Sequence, residues 1–159
     1  MTHALVLLMA LLIGVVAGLR SLTAPAVVAW AGFLGWINLH ATWASWVANI
    51  ITVVIFTVLA VGELVADKLP KTPARTAAPS FGARIVMGGF SGAVIGAAWH
   101  WTFTALGAGV IGVALGTLGG YHARKWLAAR SGHDLPIALL EDAIAILGGF
   151  ALLAATANL

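Results

Sequence analysis

No charged side chain occurs between Arg20 and Glu63, between Arg84 and Arg124, or after Asp142, in a chain of 159 residues. A soluble core cannot hide uncharged runs of that length when 62% of the residues are hydrophobic and only 8% are charged. With a mean hydropathy of +1.05, the chain reads as a polytopic membrane protein. Backbone crossing a bilayer must satisfy its own hydrogen bonds, so the expected fold is all-α: a transmembrane helical bundle forming one domain over residues 1–159, with about six membrane-embedded helices. Residues 1–19 lack a basic leader, and the first helix is expected to be retained. The absence of cysteine excludes disulfides and thiolate metal sites. A pI near 10.0 reflects bases that orient the chain in a membrane. No basic face suited to nucleic acid is present.

Residues 4–19 form an apolar run that ends in Arg20-Ser21-Leu22-Thr23-Ala24-Pro25. This hexapeptide breaks the helix, with Pro25 in the first turn of a new one and Ser21 or Thr23 as its N-cap. Residues 24–39 then either cross or re-enter, so five crossings plus a broken first segment is the alternative to six. Residues 38–46 read as a Trp-rich interfacial connection, residues 46–67 as a crossing, and residues 68–84, with Pro70, Pro73 and Pro79, as an extended solvated loop. Two helices over residues 85–103 and 105–121, joined near Thr104, carry glycine ladders: Gly88, Gly92 and Gly96, then Gly112, Gly116 and Gly120. Such side-chain-free stripes let backbones approach closely, and the two should face each other or a common neighbour. Pro136 opens a last helix to residue 156, with Asp134 as its expected N-cap.

The densest chemistry lies at residues 62–76, where Glu63 and Asp67 stand four apart and on one helical face. If Lys68 marks the water boundary, Glu63 sits roughly 7 Å deeper at ~1.5 Å per residue, a costly depth for a carboxylate. Either Glu63 locks two helices together, or Glu63 and Asp67 serve a cation or proton. Glu141 and Asp142, beyond the first turn of the last helix, have a similar claim.

Positive-inside bias puts residues 68–84 and 124–130 on the cytoplasmic side of a cell inner membrane, both termini on the periplasmic side, and every charge at one face. A cytoplasm-facing binding pocket is expected from Arg20, Glu63, Asp67, Arg84, Arg124, Glu141 and Asp142, with Lys71, Thr72 and Arg75 at its mouth. Glu63, Asp67, Glu141 and Asp142 are the candidate ligands for a divalent cation such as Mg²⁺. The expected partners are the bilayer and anionic lipid headgroups, and the sequence leaves a homo-oligomer open.

Four blocks carry a resemblance: residues 17–25, residues 62–73, Gly119-Gly120-Tyr121-His122-Ala123-Arg124 and Leu140-Glu141-Asp142-Ala143. Together they resemble a bacterial family of small multi-pass inner-membrane proteins classed as a domain of unknown function. The likeness covers nearly the whole chain and implies that the four blocks belong together, without implying an activity. A fainter likeness to membrane cytidylyltransferases that activate lipid phosphates lies in the glycine-rich helices, in Arg124-Lys125 and in Leu139-Leu140-Glu141-Asp142. The acidic residue such an enzyme would carry near Gly119 is absent.

Three functions compete. Permeation or transport of a small ion or solute leads, because acids are buried in a glycine-packed bundle without a soluble domain. A divalent-metal-dependent enzyme or binding protein acting on a phosphorylated lipid headgroup suits the one-sided charge. A structural or assembly subunit needs the charges only for docking and topology. A polar path through the bundle favours the first, and a one-sided pocket favours the second.

Overall fold

The charge-free runs fold mainly into helices. The computed structural model describes all residues except Thr72 and Arg75. Its helices are α1 (His3–Leu19), α2 (Thr23–Phe33), α3 (Ile50–Ala66), α4 (Ala78–Ala98), α5 (Thr102–Ser131) and α6 (Leu135–Ala154), with short 3-10 turns at Ser45–Ala48 and Ala155–Asn158. Three helices, Ala78–Ala98, Thr102–Ser131 and Leu135–Asn158, are long and apolar enough to span a membrane, while α1, α2 and α3 are shorter but equally apolar.

Several boundaries differ from the sequence expectation for identifiable reasons. Helix α4 begins at Ala78 instead of residue 85, because Pro79 sits in its first two positions, where a missing N–H costs nothing. The connection from α4 to α5 lies at Trp99-His100-Trp101 instead of Thr104, with His100 in the left-handed region at φ 64°. Helix α5 does not stop at Tyr121. Its 30 residues extend about 45 Å, longer than a hydrocarbon core of about 30 Å, and Arg124, Lys125 and Arg130 lie toward its C-terminal end. Helix α2 has only 11 residues, about 16 Å, and cannot cross alone. The chain turns at Gly35 (φ 75°) and continues through irregular residues 34–49, which bury Ile37, Leu39, Ala44 and Val47. Trp30 of α2 donates through Nε1 to Thr57 Oγ1 of α3 at 3.0 Å, which fixes α2 and α3 as an antiparallel pair.

The centre of the bundle is a three-backbone contact. Helix α5 packs against both α1 and α4, and Gly14, Gly88 and Gly109 meet there, so that a Cβ on any of them would collide with a neighbouring carbonyl or side chain. The two glycine ladders do not face each other. Gly92 lies against the Ala105 carbonyl of α5, where a Cβ would stand 2.5 Å away, and Gly96 lies against Trp101. Gly112 and Gly116 turn instead to the Leu11 and Val15 carbonyls of α1. Helix α6 closes the other side of the bundle against α1 and α2.

All described charges gather at one end: the C-terminal ends of α1, α3 and α5 and the N-terminal ends of α2, α4 and α6. At the opposite end His3 stacks on Trp101 with ring centroids 4.0 Å apart and bonds Thr104 Oγ1 at 3.0 Å. There too Thr156 Oγ1 donates to the Trp36 carbonyl at 3.0 Å, and Trp43 and Trp46 gather on Phe90.

Candidate functional site

Helix α2 starts inside the protein, where the free N–H groups of a first turn need an acceptor. Its cap comes from another helix. Glu63, one turn from the end of α3, accepts from Ser21 N at 2.8 Å and Ser21 Oγ at 2.7 Å through Oε1, and from Leu22 N at 2.8 Å through Oε2. Neither Ser21 nor Thr23 is the N-cap, since that position falls to Leu22, which has no capping side chain. A carboxylate at a helix N-terminus also meets the positive end of the helix dipole. The cost of placing Glu63 at depth is thereby met by the chain itself.

The residue before Ser21 is the second node. Arg20 is fully buried and places its guanidinium between two acids, with Nε donating to Asp142 Oδ1 at 2.5 Å and Nη1 paired with Asp67 Oδ2. Lys68 Nζ reaches the other oxygen of Asp142 at 2.6 Å and the Leu64 carbonyl at 3.0 Å. Two bases and two acids balance, and the network ties α1, α3 and α6 together. Glu63 and Asp67 both turn to one neighbouring stretch, Glu63 to Ser21 and Leu22 and Asp67 to Arg20. Residues 20–22 of the same chain thus occupy both carboxylates.

Arg84 and Arg124 form the outer part. Arg84 Nη1 donates to the Gly18 and Leu19 carbonyls at 2.7 and 2.9 Å, a cationic cap on the negative end of α1. Arg124 grips Asp134 with two bonds, Nε to Oδ1 at 2.9 Å and Nη2 to Oδ2 at 2.6 Å, and its Nη1 stands 3.7 Å from Glu141 Oε2. Asp134 occupies the N-cap position of α6, but its side chain makes no capping bond. The bidentate guanidinium pair takes it instead.

Between α3, α4, the end of α5 and Asp134 lies a cleft of about 400 Å³. Of the expected residues it is lined by Asp67, Arg84 and Arg124. Arg20 and Asp142 lie behind it in the buried network, Glu63 faces α2, and Glu141 faces Arg124. Lys71 is exposed and off the lining, and Thr72 and Arg75 lie outside the described residues. Among the lining residues that sequence reasoning did not place there, four are polar: Ser80, Tyr121, Lys125 and Asp134. Tyr121 and Lys125 stand four apart on α5, in a segment whose aromatic and basic content reads equally as a membrane interface.

The four carboxylates are engaged by groups of the same chain. Glu63 is occupied by three donors, Arg20 stands between Asp67 and Asp142, and Glu141 turns to Arg124. Among the described residues no group of three His, Cys, Asp or Glu side chains is placed to hold an ion. The geometry therefore lends the Mg²⁺ expectation at Glu63, Asp67, Glu141 and Asp142 no support, because sharing a helical face does not leave the lone pairs free. Comparison with known protein families, curated proteins and solved structures gives no match.

Proposed function

We propose that the protein binds an anionic phosphate-bearing lipid headgroup at the charged end of the bundle, on the cytoplasmic side of the inner membrane. The observation that carries this reading is the one-sided cleft: Arg84, Arg124 and Lys125 line it with Tyr121 and Ser80, against the acids Asp67 and Asp134. Both acids are already held by arginine. Lys125 is exposed and has no ion pair or hydrogen bond among the described residues, so it is the cation available to an incoming anion. Arginine and lysine with hydroxyl donors are the usual chemistry for phosphate. The chain has eight bases against five acids, and those among the described residues lie at this end, which adds attraction to an anionic leaflet.

Permeation, the leading expectation from sequence, draws less support. The middle of the bundle is filled by backbone contact at Gly14, Gly88 and Gly109, and the buried hydroxyls there, Ser91 and Thr117, bond to the Met87 and Gly18 carbonyls. Binding rather than catalysis suits the site, whose carboxylates are committed to guanidinium and amide partners.

The test is native mass spectrometry of the protein in nanodiscs of phosphatidate, phosphatidylglycerol and phosphatidylcholine. Preferential retention of the anionic lipids, lost in Lys125→Glu, is the expected result. Equal retention of all three lipids by the wild type overturns the reading.

A further inference from the structure

A second, smaller hollow of about 130 Å³ lies beside the cleft, between the C-terminal part of α5 and the start of α6. Its walls include Ala123, Leu127, Leu140 and Ile144, together with Arg124 and Glu141. Arg124 lines both spaces. The cleft on one side of it is rich in polar side chains, and the hollow on the other side is almost wholly apolar. The hollow also lies on a weak seam: α5 packs on α1 and α4, α6 packs on α1 and α2, and the two touch each other sparingly. At the charged end the seam is bridged by the grip of Arg124 on Asp134 and its approach to Glu141. Leu140 and Ile144 are more than half exposed, so the hollow opens sideways, toward what would be hydrocarbon.

A polar cleft and an apolar slot separated by one cationic side chain match the two parts of an amphiphile. We infer that the cleft takes its ligand as a whole lipid arriving laterally between α5 and α6. Its phosphate meets Arg124 and Lys125, and the first carbons of its chain lie in the hollow. The inference rests on the headgroup reading above and adds the occupant's second half and its route. A soluble phosphate compound would use the cleft alone and leave the hollow irrelevant. Arg124 then has two duties, holding the phosphate and bridging the seam. Its 3.7 Å distance from Glu141 is longer than its bonds to Asp134, which makes Glu141 the weaker of the two ties across the seam.

Three variants in nanodiscs separate the possibilities. Ala123→Phe fills the hollow from α5 and Ile144→Trp fills it from α6, and both leave the cations of the cleft in place. Each should lower retention of dioleoyl phosphatidate by about fivefold or more, while competition by glycerol 3-phosphate for the cleft stays unchanged. Lys125→Glu should lower both. A phosphatidate with a photoreactive group near the start of its chain should crosslink to α5 and α6 around residues 123–127 and 140–144. If both hollow-filling variants retain the lipid as well as the wild type, or the crosslinks fall evenly on the exposed face of α3, the lateral chain site is wrong even though the headgroup site stands. If Lys125→Glu changes nothing, the headgroup reading fails and this inference fails with it.

Discussion

Glu63 Oε2 holds the amide of Leu22 at 2.8 Å across 41 residues of chain, so the first turn of α2 depends on a residue at the end of α3. Glu63→Gln keeps the shape but offers an NH₂ where a second acceptor is needed, leaving a donor facing a donor. The expected cost is about 1–3 kcal/mol, read as a lower melting temperature of the solubilised protein. Ser21→Ala removes one bond of three and should cost about 1 kcal/mol. A Glu63→Gln protein with unchanged stability and altered lipid binding would show that Glu63 belongs to a ligand site after all.

Arg20→Met leaves Asp67 and Asp142 facing each other without their common cation. Breaking one side of a buried ion network typically costs about 3–5 kcal/mol, so the variant should be poorly assembled. Removing the charges together, as Arg20→Met with Asp67→Asn and Asp142→Asn, should restore much of the loss. Thermal melting of the single and combined variants reads this as a double-mutant-type coupling. Additive losses would show that the three side chains act independently.

Gly116→Leu drives a side chain into the Val15 carbonyl of α1, whereas Gly107→Leu and Gly119→Leu add side chains where nothing stands within 4 Å. The first should fail to yield a monodisperse bundle in size-exclusion chromatography, since overpacking of even a few methylenes costs about 1–3 kcal/mol. The other two should fold normally. Equal behaviour of all three would show that glycine at residue 116 is not required for close approach.

Asp134→Asn removes a negative charge from the cleft and releases Arg124 from its bidentate partner. Charges near an anionic leaflet contribute about 1 kcal/mol each, so retention of anionic lipid should rise about fivefold, opposite in sign to Lys125→Glu. Both effects should shrink as salt is raised toward 1 M, where the Debye length falls to about 3 Å. Competition between phosphatidate and phosphatidylcholine at two ionic strengths checks sign and salt dependence together.

The helical bundle and the collection of charges at one end could be read from the chain, because uncharged runs of such length leave few alternatives. The glycine ladders were legible as close-packing surfaces, but their partners were not: four-residue spacing marks a stripe without naming the helix that fills it. Asp134 shows how a local rule can mislead. Its place before Pro136 predicts the N-cap, a position it does occupy, yet its carboxylate caps nothing because Arg124, ten residues earlier and folded back across Gly132 (φ 70°), offers it two charge-assisted bonds. The capping role of Glu63 has no local signature at all, since capping preferences concern residues adjacent to a helix start. Paired carboxylates four apart therefore looked like ligands for an ion, when their donors were an arginine, a serine and two amides far away in sequence.

The distance along the chain between Arg20 and its partners has a consequence for biogenesis. A ribosome makes Arg20 before Asp67, and Asp142 follows only 122 residues after Arg20. Until α6 is synthesised, the guanidinium that ends up fully buried lacks one of its two acids. Truncated chains that stop before α6 therefore display an incompletely neutralised arginine beside an uncovered face of α1 and α2. Addition of α6 supplies the second acid of Arg20 and covers α1 and α2 in one step.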